Sequence, residues 1–162
     1  MTDTAYWLLA AVVVTCMGAT ASLDQLIKQL RARHRIGVIA YSSYSRAADF
    51  RTGLPFYVPI IVGWIVLIPA AAIVGWRNDA SGPVLPAIAA MVAGLAAHAL
   101  VTGLRAAPIL LSQRDIAPDD ESKLTVVFDR FARWHLARTM IDVGTAGSAV
   151  WALVATIADL DR

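Results

Sequence analysis

The chain has 162 residues, of which 58% are apolar and only 16% charged, with a mean hydropathy of +0.62. Soluble domains run at roughly 45–50% apolar and about 25% charged, so an ordinary soluble domain is excluded. The net charge is only +2 and the basic residues cluster between apolar stretches, so the pI near 9.0 points to membrane topology and not to nucleic acid. The lone Cys16 excludes an intrachain disulfide framework and any CxxC redox or zinc site.

Four apolar stretches are long enough for a hydrocarbon core, which takes about 20 helical residues: residues 6–23, 54–76, 84–104 and 139–158. The expected fold is all-α, one integral membrane four-helix bundle over residues 1–162 with helical cytoplasmic extensions. The first stretch is expected to be a retained span and not a cleaved signal, because Met1 to Ala5 carries Asp3 and no Lys or Arg. Leu23, Leu26, Ile27 and Leu30 continue its stripe at helical spacing, so the helix should leave the membrane and run to about Leu30, stopping before Gly37.

The next segment holds Lys28, Arg31, Arg33, Arg35, Arg46 and Arg51. This basic run either sets topology or binds anionic headgroups, with Tyr41, Tyr44 and Phe50 laid against the inner leaflet. In the second span Pro55 and Pro59 fall in or near the first turn, whereas Pro69 removes a bond to the Ile65 carbonyl and should kink the helix. The third span is rich in alanine around Gly94, and the fourth offers Gly144, Gly147 and Ser148; small residues let helices approach closely, within a bundle or between protomers. Pro118-Asp119-Asp120-Glu121 is a helix start with acids at the positive dipole end. Leu124, Val127, Phe128, Phe131 and Trp134 then carry a stripe into the fourth span, giving one helix from about Asp120 to Ala158, close to 60 Å long at about 1.5 Å per residue.

All Lys and Arg residues except Arg77 and Arg162 lie on one side of this four-span plan. Loops rich in Lys and Arg stay cytoplasmic, which predicts an inner or plasma membrane protein with both termini outside. Tyr6, Trp7 and Trp76 then form the outer aromatic belt, and Phe56, Tyr57 and Trp134 the inner one.

Ionisable groups inside spans are functional candidates by default. Asp24, His98, Arg138 and Asp142 come from three helices and fall in the cytoplasmic third, where Gln25, Thr102, Trp134 and His135 reach the same layer. One reading is a membrane-embedded site: His98 transfers a proton or contacts a ligand, Asp142 or Asp24 orients it, and Arg138 holds an anion such as an enolate or phenolate. The other is a structural polar cluster in which Arg138 and Asp142, at i and i+4, pair with each other. A two-histidine, one-carboxylate iron site lacks support, because no HxxxH or ExxH spacing occurs and His34 sits among arginines; no metal ligand is assigned and no cofactor is identifiable. Cys16 is packing, and no dinucleotide or phosphate-loop fingerprint is present.

Three stretches resemble the anthrone-oxygenase-like family of small four-span membrane proteins: Gly18-Ala19-Thr20-Ala21-Ser22-Leu23-Asp24-Gln25, Tyr41-Ser42-Ser43-Tyr44-Ser45-Arg46-Ala47-Ala48-Asp49, and Phe131-Ala132-Arg133-Trp134-His135-Leu136-Ala137-Arg138. Span spacing is similar along nearly the whole chain. The resemblance implies a four-helix membrane bundle and an oxidoreductase that oxygenates a small hydrophobic aromatic, such as an anthrone to a quinone, without a known organic cofactor. It also implies that His135 and Arg138 fall in the family's Trp-x-x-x-Arg region and Arg46 in its loop, and assigns no role to His98. The proposed catalytic residues are His98, Asp142 and Arg138, with Asp24, Gln25, Arg46, Thr102, Trp134 and His135 as ligand contacts. The competing class is a non-catalytic membrane subunit or homo-oligomer; an apolar, occupied pocket beside His98 would favour the enzyme, and a tightly filled interior with a large lipid-buried interface the subunit. Partners on either view are the lipid bilayer and a small hydrophobic ligand, a second copy or a larger membrane complex. A transporter is disfavoured by the lack of paired broken helices.

Overall fold

A computed structural model describes residues 3–80 and 82–160, and over these the chain is all-α. Helix α1 spans Asp3–Ile36, α2 Val38–Ala47, α3 Leu54–Arg77, α4 Val84–Asp115 and α5 Glu121–Leu160. Four of these, all but α2, are long and apolar enough to cross a membrane. They close a ring in which α5 packs on α1 and α4, α1 on α3, and α3 on α4.

Local chemistry explains the breaks. Gly37 separates α1 from α2 with φ of 84°, a conformation that a side chain with a Cβ rarely adopts. Asp120 caps α5: its carboxylate accepts from the Lys123 backbone N–H at 3.0 Å and the Ser122 hydroxyl at 2.8 Å. Together with the Lys123 ammonium at 2.8 Å, the strongest of these influences, the bonds hold its carboxyl at about 2. Helix α3 runs unbroken through Pro59 and Pro69. The 40 residues of α5 form one continuous helix, as the stripe and the Asp120 start require.

The helices overshoot the expected spans. Helix α1 ends at Ile36, not near Leu30, and α4 continues past Leu104 to Asp115. Both cross a π-helical turn, Gln25–Gln29 in α1 and Thr102–Ala106 in α4, and a third, Ala48–Thr52, leads from α2 to α3. Such a turn inserts one residue and rotates everything after it by about 100°, which a constant 3.6-residue period does not anticipate.

Two cores result. At the end of the bundle near the turn between α3 and α4, Leu8, Ile68, Met91 and the alanines 11, 71, 87, 149, 152 and 155 fill the interior. At the opposite end, where α1, α4 and α5 extend, Leu30, Val38, Tyr41, Ala106, Leu124, Phe128 and Phe131 form the second core. Tyr41 is 2% exposed and meets Phe128 edge-on at 4.9 Å. It therefore belongs to the core and does not face a leaflet as the sequence suggested; Tyr44 is the exposed ring of that segment. Arg33 reaches Asp129 at 2.5 Å and ties the α1 extension to α5.

Candidate functional site

Between the two cores lies a cavity of about 400 Å³, walled by all four long helices and by Asp49 and Phe50 from the turn before α3. Ligand pockets fall at roughly 300–1,000 Å³ and are mostly apolar with a few placed polar groups. This cavity fits that description. Gly18 and Ala21 of α1, Ile60, Trp64 and Ile65 of α3, Leu95 of α4 and Phe131 of α5 supply its apolar wall, and the polar lining is Ser22, Gln25, Asp49, Tyr57, His98, Thr102, Arg138 and Asp142. Each π-helical turn contributes to it: Gln25 from the first, Asp49 and Phe50 from the second, Thr102 and Gly103 from the third.

His98 and Asp142 meet across α4 and α5, with Nδ1 2.6 Å from Oδ1. The other carboxylate oxygen accepts the Ser22 hydroxyl of α1 at 2.5 Å. Asp142 is 1% exposed, and protein groups satisfy both of its oxygens. A carboxylate only accepts, so opposite an ionised Asp142 the donor is Nδ1–H, and in that tautomer a neutral imidazole carries its lone pair on Nε2. Trp64 packs against the His98 ring at 5.0 Å between centroids, held by its own indole N–H donating to the Val14 carbonyl at 2.8 Å. Gly18 makes room for Trp64: a Cβ there would sit 2.7 Å from the indole.

Arg138 lies one turn along α5. Its Nη2 donates to the Gln25 side-chain oxygen at 3.2 Å and to His135 Nδ1 at 2.8 Å. His135 in turn donates Nε2–H to the Ser22 carbonyl at 3.0 Å and stacks on Phe131 at 5.3 Å. A carbonyl only accepts, so this fixes the neutral Nε2–H tautomer whose Nδ1 can receive the guanidinium. Two buried donors in the lining have no partner among the described residues: Arg138 Nε and Thr102 Oγ1. The contrast within the fold is clear, since Thr139, Thr145 and Thr156 each bond the carbonyl four residues back. Thr102 stands at the start of a π-helical turn and makes no such bond.

Asp49 lines the cavity beside Tyr57 and accepts the Ser45 hydroxyl at 2.6 Å. Burial pushes its carboxyl above the usual carboxylate range, against the Ser45 hydroxyl and the Arg138 guanidinium, which pull it down. Ser45 also receives Gln113 Nε2 at 3.2 Å, which links Asp49 to the end of α4.

Of the residues singled out from sequence, His98, Asp142, Arg138, Gln25 and Thr102 line the cavity, and four others do not. Asp24 pairs with Lys28 and accepts from Gln29 on another face of α1. Arg46 donates to the Gln113 and Ile116 carbonyls, at 2.5 and 2.9 Å, and so clasps the end of α4. Trp134 is 38% exposed beneath the Arg105 guanidinium, and His135 is buried behind Arg138. Arg138 and Asp142 form no ion pair with each other despite their i, i+4 spacing, because each finds a partner on another helix first. Sequence reasoning misses Ser22, Asp49, Tyr57, Trp64 and Phe131 as site residues. Ser22, Asp49 and Phe131 lie within the three stretches that carry the family resemblance, which is the one signal for them. Among the described residues no three His, Cys, Asp or Glu side chains assemble as a metal-type group.

Comparison with protein-family models, with curated proteins and with solved structures finds no match to this chain.

Proposed function

We propose that the chain is a membrane-embedded oxidoreductase that oxygenates a small hydrophobic aromatic with an acidic methylene, of the anthrone-oxygenase-like kind. The observation that carries this reading is the His98–Asp142 pair beside an apolar cavity, two of whose lining residues, Arg138 and Thr102, keep buried donors, Nε and Oγ1, without partners. The bundle lies in the cell membrane with its basic extensions in the cytoplasm and both termini outside, because nearly all Lys and Arg fall at the extension end.

Nε2 of His98 is the base. Asp142 holds the ring in the productive tautomer and stabilises the imidazolium that forms. Removing a methylene proton puts negative charge on the substrate's carbonyl oxygen, where Arg138 Nε–H and the Thr102 hydroxyl supply the missing hydrogen bonds. The carbanion adds dioxygen, the only co-reactant the balance requires, and the peroxide takes the proton back from His98. The second methylene proton is then lost as the O–O bond breaks. Across the sequence CH₂ and O₂ become C=O and H₂O: the carbon gives up four electrons, one oxygen atom stays in the product and the other leaves as water.

The test is quinone formation from 9(10H)-anthrone by purified protein in nanodiscs. Wild type turns over above the uncatalysed rate, and a folded His98→Ala variant does not; equal rates would refute the role of His98.

The homo-oligomer reading has one observation of its own. Gly144 and Gly147 lie on α5 with nothing within 4 Å of where a Cβ would stand, a surface that suits a second helix. Native mass spectrometry from mild detergent separates the readings, since a retained small-molecule mass lost in His98→Ala supports the site and a bare oligomer supports the subunit.

A further inference from the structure

The helices α3 and α4 close on each other at one end and part at the other. Near their turn, Ile88 Cδ1 fits against Gly75, where a Cβ would stand 2.7 Å away, and Ile68, Ala71 and Met91 are fully buried. Towards the extension end, Ile61 and Ile65 on α3 line the cavity while remaining 48% and 59% exposed. Ala99 and Gly103 on α4 likewise line it and are exposed. A residue that both faces a cavity and stands on the outer surface marks a gap in the wall. A Cβ at Gly103 would meet nothing within 4 Å. The cavity floor, by contrast, is covered: Phe50 lies 4.2 Å beneath the Arg114 guanidinium, and Asp49 is tied to Ser45.

Both helices are among those long and apolar enough to cross a membrane, and in a bilayer a gap between their apolar stretches opens on hydrocarbon. We infer that the cavity is a binding site filled sideways from the bilayer, through a portal between α3 and α4 bounded by Ile61, Ile65, Ala99 and Gly103. The inference rests on the reading of the cavity as a ligand site, and it narrows the ligand to a membrane-partitioned amphiphile. Its apolar body passes between the isoleucines and the small residues of α4, and its hydrogen-bond-accepting head comes to rest beside Arg138 and Thr102, the lining residues whose Nε and Oγ1 lack partners. Small residues on one rim and branched ones on the other leave a slot that suits a flat body, and Trp64 and Leu95 receive it inside.

Anthracene-9-carboxylate, a flat fluorescent anion, is the probe, added to the full chain in phosphatidylcholine nanodiscs and followed by stopped-flow energy transfer from tryptophan. Wild-type association is expected to track probe per lipid at fixed total probe. Gly103→Leu and Ala99→Phe are each expected to slow association and dissociation together, at least tenfold. Gly144→Leu, the same change at an equally open glycine away from the cavity, should leave both rates unaltered. Wild-type rates in both portal variants, with the probe bound, would overturn the portal and leave the site standing. No binding by wild type would overturn the site and the portal with it. Circular dichroism checks folding, and the two portal variants test the gap from independent positions.

Discussion

His98 Nδ1 lies 2.6 Å from Asp142 Oδ1, a bond between two long apolar helices whose carboxylate is 1% exposed. A buried carboxylate must be fully hydrogen-bonded, and here Ser22 of a third helix completes the set. The pair therefore joins three of the four long helices. Asp142→Asn keeps the shape and tests the base directly. It removes the charge that stabilises the imidazolium and favours the wrong tautomer, so turnover should fall by about 100- to 10,000-fold with the helical content unchanged. Turnover within threefold of wild type would remove the dyad from the mechanism.

Thr102 separates binding from stability. Its buried hydroxyl has no partner, so Thr102→Val deletes an unsatisfied group of nearly the same shape and should leave the thermal midpoint unchanged or raise it. Affinity for anthracene-9-carboxylate should drop about tenfold, in line with one lost hydrogen bond to a charged group at about 1.5 kcal/mol. A destabilised variant with unaltered affinity would show the hydroxyl to be structural.

Asp49 carries the pH dependence of stability at the cavity floor. Its carboxyl is raised by burial, so its protonated form is favoured by folding: the stability it allows is full below its unfolded value near 3.8 and is lost as pH rises through the higher folded value. Asp49→Asn keeps an acceptor for the Ser45 hydroxyl and cannot ionise. It should raise the thermal midpoint at pH 7 and make no difference at pH 3.5; a variant less stable than wild type at pH 7 would contradict this account.

The extension core is expected to fold with the membrane bundle and not as an appendage. Phe128 is fully buried against Tyr41, and Phe128→Ala should cost about 3–5 kcal/mol. Chemical denaturation in detergent should show one transition moved as a whole. Two transitions, with only one moved, would mean that the extensions fold separately.

Topology has its own test. With Cys16 replaced by Ser, Arg35→Cys and Asp79→Cys should react with a membrane-impermeant maleimide from opposite faces. Labelling from the same face would overturn the orientation.

Much of this architecture is legible in the amino-acid sequence. Span number follows from hydropathy, and the unbroken α5 follows from the stripe that starts at Asp120 and runs through Phe128 and Phe131 into the membrane. His98, Arg138 and Asp142 stand out because charge in an apolar helix is costly. Their partners are hidden, because who meets whom depends on helix rotation, and the π-helical turn at Gln25–Gln29 resets that rotation for the rest of α1. Gln25 faces the cavity while Asp24 turns to Lys28. Trp64 is invisible for another reason: one more aromatic in an apolar span carries no mark until Gly18 and Val14 fix its ring beside His98.

The central claim is that His98 and its cavity bring an acidic methylene to dioxygen, and the most direct measurement is isotope transfer from ¹⁸O₂ during oxidation of 9(10H)-anthrone in nanodiscs. One labelled atom in each quinone and one in water, formed by wild type and lost in His98→Ala, is the predicted result. Turnover no faster than the protein-free rate, or the same labelled yield from His98→Ala, would contradict it.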